Sequence, residues 1–445
     1  MNAHLPCADA AGRSAFSHLY ALALPGIAAL PVCLLLLPDL AEVIYTLVTM
    51  AGLACLLHHG LSDDERQRLF LVSFLPLLFF GVAALSVAVS GDYNNWLRPL
   101  KKLAELLATP LVAVLVMRAN IHPRHFITTA KLSALLLLAA ALYQFLVLHS
   151  PRPGGAISPF PFAHIALLLG FFSLIHLPLE STRQKLFSLT AFSAGFLTTL
   201  ISQTRIEWIN ALILMAALLL VWRRAGLLSK RIMLVIGCTV LALSLLSVST
   251  PFVHKRVSAA LDQYQAFQNH QGWHNSVGQR FLMWRHGLEA AAAKPVFGWG
   301  IHRSQQAAVA GLSDPQMKKT LGKHHNLHSE YVNTLAAKGA VGLVSLLALL
   351  FVPLSVFYTR SANREQLVYT ASGVLLCTSY AVSGIAFQAF GDDTMNIFFV
   401  IVLSYTLTAV AGEPARARST HQSLPLPQNS DGSTVICRMR DRFQL

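Results

Sequence analysis

Apolar runs of membrane-spanning length recur along most of this chain and constrain its fold more than any other feature. A helix needs roughly 20 apolar residues to cross the hydrocarbon core of a bilayer. Only 12% of the 445 residues are charged, whereas a soluble domain contains about 25%. The runs predict about twelve transmembrane helices, over 18–36, 40–57, 69–90, 103–117, 128–148, 161–178, 186–202, 207–222, 231–249, 338–358, 367–388 and 394–411.

The interiors of these runs indicate helices rather than the strands of a membrane barrel. Ala134–Leu142 and Leu212–Val221 are continuous apolar blocks, without the polar alternation that barrel strands require. The predicted fold is therefore an all-α, polytopic integral membrane protein. Its predicted organisation is transmembrane helices 1–9 over 1–249, a large helical outward loop over 250–337, transmembrane helices 10–12 over 338–412, and a disordered cytoplasmic tail over 413–445.

Lysine and arginine are distributed unevenly among the predicted loops. An even number of spans puts both termini on one side, which the positive-inside rule assigns to the cytoplasm. The basic residues of the predicted cytoplasmic loops are Arg66, Arg68, Arg118, Arg124, Lys131, Arg183, Lys185, Arg223, Arg224, Lys230, Arg231, Arg360 and Arg364. The short loops on the other side contain Arg98, Lys101, Lys102, Arg152 and Arg205. The long loop is predicted to face outward, because long loops translocate largely regardless of charge.

The net charge and the positions of the cysteines limit the binding partners, disulfides and metal sites that the sequence predicts. The net charge of +14 is accounted for largely by contact with anionic membrane lipids. A nucleic-acid partner is not expected, because no basic module stands apart from the membrane. The outward loop contains no cysteine and the chain has no CxxC pattern, so neither a disulfide framework nor a cysteine zinc site is predicted.

The polar segment from about Thr250 to about Lys338 is where chemistry in water is expected. An amphipathic helix is predicted over Arg256–Gln268, and a second one from a cap at Ser276 to about Lys294. Helical signals resume near His325, and Gly298-Trp299-Gly300 is predicted to form a turn.

Two arginines are candidate ligands for a phosphorylated substrate. Arg280 shares a helix face with Trp284, four residues on, and a guanidinium group can hold a phosphate bidentately. Arg205 is at the outer end of a span, where an arginine is costly unless it is paired or faces water. The alternatives are a solvated Arg280, and an Arg205 that snorkels or pairs with Glu207.

Histidines cluster just before a predicted span. His325 and His328 are three residues apart and accompany Asn326, Ser329 and Tyr331. A histidine can accept a proton near neutral pH, which suits a general base. A zinc site is the alternative, although the neighbouring cations disfavour a bare metal ion. Packing at the membrane interface is a further alternative for these histidines.

Other polar groups of the outward face give weaker signals. Asp392 and Asp393 form a short outward turn that could orient an arginine or polarise a histidine, although a plain turn is the simpler interpretation. Walker, HExxH and GxSxG patterns are absent. Carboxylates inside the spans, which proton-driven transporters need, are nearly absent, and this disfavours a transporter.

Taken in order, several motifs resemble the O-antigen ligase and polymerase superfamily. They are Ser202-x-x-Arg205, Arg280…Trp284, Pro295-x-x-Gly298-x-Gly300, His328-Ser329-x-Tyr331 and Leu335-Ala336-x-x-Gly339-x-x-Gly342. The spacing from His328 to Gly339 matches the histidine motif of that superfamily, although His325-Asn326 offers a second register. Glu207 and Trp208 depart from the small or apolar residues usual after the arginine.

The resemblance implies a GT-C-like membrane glycosyltransferase in the bacterial inner membrane, with its active site facing the periplasm. The donor would be a glycan on undecaprenyl diphosphate and the acceptor lipid A–core, with no metal or other cofactor. In this assignment His328 is the catalytic base, Arg205 and Arg280 bind the diphosphate, and the supporting residues are His325, Asn326, Trp284 and Tyr331.

Four other functions remain open. An O-antigen polymerase or a protein O-oligosaccharyltransferase would use the same donor chemistry. The short loop near 149–160 favours a ligase, because polymerases of this superfamily often have two large outward loops. A lipid-linked sugar flippase and a non-catalytic scaffold are alternatives from other classes.

Overall fold

The computed structural model describes residues 25–91, 97–231, 234, 251–268, 275–312, 314–324 and 326–412. Within these ranges every regular element is a helix. The α-helices are α1 (Pro25–Leu36), α2 (Pro38–His59), α3 (Asp63–Ser90), α4 (Leu97–Ala104), α5 (Thr109–Ala119), α6 (Pro123–Leu146), α7 (Pro159–Leu174), α8 (Thr182–Ile201), α9 (Arg205–Arg224), α10 (Pro251–Gln268), α11 (Ser276–Ala293), α12 (Arg303–Ala310), α13 (Pro315–Leu321), α14 (Glu330–Arg360), α15 (Leu367–Ser383) and α16 (Asp393–Ala411).

Seven of the described helices are long and apolar enough to cross a membrane: α2, α3, α6, α7, α9, α14 and α16. The chain is therefore an all-helical, polytopic membrane protein, as the apolar runs predict. The predicted span over 103–117 corresponds to a broken element, because α4 and α5 are separated by a 3-10 turn over Glu105–Ala108. The predicted span over 231–249 and the predicted tail over 413–445 lie outside the described residues, and the count of about twelve spans remains a prediction.

Two helices form the centre of the bundle. Every residue of α7 from Pro161 to Leu174 is buried, and α7 packs against α6, α8, α9 and α15. α16 is buried to a similar degree and packs against α5 and α15. By contrast, α2 exposes Leu47 and Met50 by more than half of their surface. A bundle whose outer helices expose large apolar side chains is suited to lipid rather than water.

Short loops rich in arginine meet at one end of the bundle, here called the basic end. Arg118 donates to Glu65 and to the Gly60 carbonyl, and Arg364 donates to the carbonyls of Ala225 and Gly226. Lys131 pairs with Glu180 at 2.7 Å, and both side chains are nearly buried. These contacts join the loops predicted to face the cytoplasm, and they satisfy carbonyl groups left open where helices end.

At the opposite end, a backbone joint connects the segment around α11–α13 to the bundle. Gly339 interrupts α14 with φ 66° and ψ −164°, so nearby helical hydrogen bonds are lost. The 295–300 turn replaces them. The Trp299 and Gly300 amides donate to the carbonyls of Ala336 and Ala337, and the Ala340 amide donates to Pro295.

Glycine is required on both sides of this joint. Gly298 has φ 70°, and a Cβ atom there would lie 2.4 Å from the Ala337 carbonyl carbon. A Cβ atom on Gly339 would lie 2.1 Å from the Val296 carbonyl oxygen. Ser86 of α3 donates to the carbonyls of Phe297 and Ala337. The motif around Gly298 and the motif around Gly339, about forty residues apart in the sequence, thus contact each other directly.

Candidate active site

The corner between α8 and α9 holds the first candidate arginine. Gln203 has φ 56°, in the left-handed region that non-glycine residues seldom adopt. This turn directs the chain from Ile201 into Arg205, the first residue of α9. Thr204 donates to the Pro159 carbonyl, and Arg152 Nε donates to the Ser202 carbonyl at 3.5 Å. The corner is therefore tied to the loop that precedes α7, which brings Arg152 beside it.

Helix α11 brings the second arginine to the same place. It begins at a cap formed by Asn275, whose side chain accepts from the Val277 and Gly278 amides; the cap is this residue, one position before the predicted Ser276. Trp284 Nε1 donates to the Leu327 carbonyl at 3.1 Å. This bond fixes α11 against the loop that carries the histidines.

Three positive charges converge at this end of the bundle. Burial lowers the pKa of Arg280, and the nearby charges of Arg205 and then Arg152 lower it further. A pKa lowered by like charges means that the cations repel one another across the site. A bound anion would relieve that repulsion, and arginine suits a diphosphate because its planar donors match pairs of phosphate oxygens.

His328 lies near Arg280 and has a strained backbone conformation, with φ 51°. Its amide donates to Asn326 Oδ1 at 2.9 Å, which fixes the turn. Burial, then the charge of Arg280, then His324 lower the pKa of His328 from 6.5 to about 4. Its imidazole is therefore neutral at ordinary pH and has a lone pair available for a proton.

A hydrogen-bonded chain sets the tautomer of His328. His328 Nε2 lies 3.1 Å from His324 Nδ1, and His324 Nε2 lies 3.3 Å from Gln279 Oε1. With the amide oxygen of Gln279 as acceptor, neutral His324 donates through Nε2 and accepts at Nδ1. His328 then donates through Nε2, and the basic lone pair is on its Nδ1.

The remaining candidate residues make mainly structural contacts. The Tyr331 hydroxyl donates to the Ala381 carbonyl at 2.6 Å, joining α14 to α15. Ser329 caps α14 by accepting from the Val332 amide. His325 lies outside the described residues, so the zinc alternative that includes it stays untested. Asp392 accepts from the Met395 amide at the start of α16, which agrees with the plain-turn interpretation.

Glu207 does not serve as the partner of Arg205. Its carboxyl group is fully buried and bonds to His164, Asn210 and Ser383 inside the bundle. The alternative in which Glu207 pairs with Arg205 is therefore not the observed arrangement.

Three residues near the site have little or no signal in the sequence: Arg152, His324 and Gln279. Arg152 stands out only as a loop charge in a Pro151-Arg152-Pro153 context, which stiffens the backbone. His324 and Gln279 carry no pattern of their own. Only the packing of α11 against the histidine loop brings them together.

Comparisons with known proteins bear on the family resemblance. Residues 186–347 match the O-antigen ligase family (Wzy_C), and the matched segment includes Arg205, Arg280 and His328. An uncharacterized protein from Haemophilus influenzae (strain ATCC 51907 / DSM 11121 / KW20 / Rd) is 23% identical over 345 residues, which cover 76% of this chain and 84% of that protein. The family resemblance seen in the motifs is thus confirmed: this chain contains an O-antigen ligase (Wzy_C) family domain over residues 186–347.

Proposed function

We propose that the protein is an O-antigen ligase of the bacterial inner membrane. It transfers a polysaccharide from undecaprenyl diphosphate to lipid A–core at the periplasmic face. The observation that carries this proposal is the grouping of Arg152 and Arg205 around Arg280, which in turn lies near a neutral His328. This set of charges suits an anionic leaving group, and the imidazole suits a hydroxyl nucleophile.

In the proposed reaction, Arg205 and Arg280 hold the diphosphate and stabilise the charge that develops on it. His328 accepts the proton of the acceptor hydroxyl. The hydroxyl oxygen forms a bond to the anomeric carbon as the bond from that carbon to the phosphate oxygen breaks. Attack from the face opposite the leaving group inverts the configuration, and undecaprenyl diphosphate departs with the electron pair. Guanidinium groups supply the positive charge here, so the proposed reaction is independent of a divalent metal.

A purified assay with lipid-linked donor and lipid A–core tests the assignment. We expect His328→Ala to lower the rate by about 10²–10⁴ and Arg280→Gln by about 10²–10³. Arg285→Gln is the matched control, because Arg285 lies on the same helix but is 74% exposed and pairs with Glu289. Arg280→Lys tests bidentate binding, since lysine keeps the charge but loses the planar pair of donors. Full activity of both His328→Ala and Arg280→Gln at normal protein levels would remove the proposal.

The products distinguish the ligase from its alternatives. A ligase adds the glycan to lipid A–core and is unaffected by a chelator, whereas a polymerase extends the glycan on the lipid carrier. In cells that lack the gene, a ligase leaves donor stranded on the outer leaflet with bare lipid A–core. Donor accumulating on the cytoplasmic leaflet would instead indicate a flippase. The short loop before α7 supports the ligase over a polymerase, which often has a second large loop.

A further inference from the structure

A buried polar network lies inside the bundle, directly below the arginine corner. It consists of His164 on α7, Glu207 and Asn210 on α9, and Ser379 and Ser383 on α15, and all five side chains are fully buried. Polar groups of this kind are costly inside a membrane unless they are satisfied, and they often serve a function. Neither the proposed reaction nor the family motifs use them.

The carboxyl group of Glu207 is the centre of this network. Ser383 Oγ donates to Glu207 Oε1 at 2.7 Å, and His164 Nδ1 lies 3.1 Å from the same oxygen. Asn210 Nδ2 donates to Glu207 Oε2 at 2.8 Å and to Ser379 Oγ at 2.7 Å. Three polar groups from three helices therefore converge on a residue that is two positions after Arg205.

The other end of the network reaches the histidine loop. Ser383 is the last residue of α15, and the next residue, Gly384, accepts at its carbonyl from the Glu330 amide at 2.8 Å and from Ser329 Oγ at 3.4 Å. Ser329 directly follows His328. The path from Arg205 to His328 through Glu207, Ser383 and Gly384 thus consists of hydrogen bonds and short covalent links.

We propose that the His164–Glu207–Ser383 network is a positioning device that sets the distance between Arg205 and His328. It fixes the first turn of α9, which bears the arginine, to the end of α15, which bears the carbonyl that anchors the histidine loop. Its members do not touch the substrate. The inference rests on the proposed function, since it assigns to the network the alignment of the diphosphate ligand with the base.

The experiment measures the binding of inorganic pyrophosphate to the purified full chain in detergent, together with kcat and KM for the lipid-linked donor. Ser383→Ala removes one hydroxyl and little volume. We expect it to weaken pyrophosphate binding and raise the donor KM by about 3- to 30-fold, with the midpoint of thermal unfolding little changed. Glu207→Gln should act in the same direction and provides a second variant.

A matched control separates alignment from general stability. Glu180→Gln disrupts another nearly buried carboxylate, which pairs with Lys131 at the basic end. We expect Glu180→Gln to lower the unfolding midpoint without changing pyrophosphate affinity. A similar loss of affinity in Glu180→Gln and Ser383→Ala would show that the network only supports the fold, and would overturn the inference.

A double-mutant cycle gives the sharpest outcome. If Ser383 acts through Arg205, Ser383→Ala has no further effect on pyrophosphate affinity in an Arg205→Gln background. Additive losses would contradict the inference while leaving the proposed function intact. If wild type and Arg205→Gln bind pyrophosphate equally, the proposed diphosphate site fails, and the positioning inference fails with it.

Discussion

At the scale of single residues, burial and the nearby positive charge determine the protonation state of His328. Arg280 lowers the pKa of a histidine that burial has already made less basic. The imidazole therefore stays neutral, while the guanidinium groups stay charged over the whole physiological range. In the proposed reaction, the site therefore combines a proton acceptor with groups that bind an anion at the same pH.

The first prediction concerns the decrease in kcat/KM at acidic pH, which is the acid limb of its pH profile. Protonated His328 cannot accept a proton, so activity falls as the pH drops through the pKa of His328, which is about 4. In Arg280→Gln the charge that lowers this pKa is lost, so the pKa rises toward 6.5 and activity falls at a higher pH. A pH profile of kcat/KM, normalised to the plateau of each variant, measures the shift. An acid limb at the same pH in both proteins contradicts the assignment of His328 as base.

The second prediction concerns Arg152, the cation revealed by the structure. Arg152→Gln removes a charge that acts on Arg280, and we expect kcat/KM for the donor to fall by about 10- to 100-fold, the equivalent of one charge-assisted hydrogen bond. Arg152→Lys should recover part of the loss, because lysine keeps the charge. Steady-state kinetics at several salt concentrations measure both effects. Unchanged kinetics in Arg152→Gln would exclude Arg152 from the donor site.

At the scale of elements, the joint between the 295–300 turn and the break at Gly339 holds the polar segment in place. The carbonyls and amides freed by the break in α14 are satisfied by the turn. Satisfying such groups is obligatory where water is scarce. The joint and the hydrogen bond from Trp284 to the Leu327 carbonyl connect α11 to α14 and to the loop that precedes it.

The third prediction tests the joint with Gly339→Ala. The added Cβ would meet the Val296 carbonyl oxygen, and alanine disfavours the positive φ of this position. We expect the free energy of unfolding to fall by about 1–3 kcal/mol or more, with loss of transferase activity. Gly81→Ala on α3 is the control, since no atom lies within 4 Å of its Cβ position. Thermal unfolding of the purified proteins gives the comparison, and equal stability of the two variants would contradict the joint.

At the scale of the whole molecule, the bundle has a basic end and an end that bears the candidate site. The loops rich in arginine hold one another at the basic end, while Arg205, Arg280 and His328 lie at the other. The positive-inside rule predicts that the basic end faces the cytoplasm, and the proposed site would then face the periplasm.

The fourth prediction tests this orientation with single cysteines in a cysteine-free background. Lys323→Cys, exposed beside the histidine loop, should react with a membrane-impermeant maleimide when only the outer membrane is permeabilised. Arg183→Cys, exposed at the basic end, should react only after the inner membrane is opened. The reverse pattern would place the candidate site in the cytoplasm.

Sequence patterns predicted the helical membrane fold and the candidate residues because both depend on local signals. The length of an apolar run indicates a membrane span. An arginine at the outer end of such a run can be recognised because charged residues are rare there. The proximity of Arg152 to Arg205 cannot be predicted from local signals. It arises from the contact of two loops about fifty residues apart in the sequence. α12 and α13 were also not predicted, since both are short and have little apolar periodicity to mark them.

The contact between Gly298 and Gly339 is likewise a long-range contact that the sequence does not predict. Gly298 and Gly339 were recognised as parts of separate motifs, but a single chain does not reveal that one backbone lies against the other. The burial of Glu207 inside the bundle is also not evident from the sequence. Its position near a span end suggested a partner for Arg205, while its helical direction leads it to His164 instead.

The lowered pKa of His328 has a consequence for when the catalyst becomes active. The charge of Arg280 that weakens this imidazole is the charge that an arriving diphosphate would neutralise. In the proposed reaction, an empty site therefore holds a weak base, and binding of the donor diphosphate makes His328 a stronger one. Donor binding and activation of the base are then coupled through the charge of Arg280 alone.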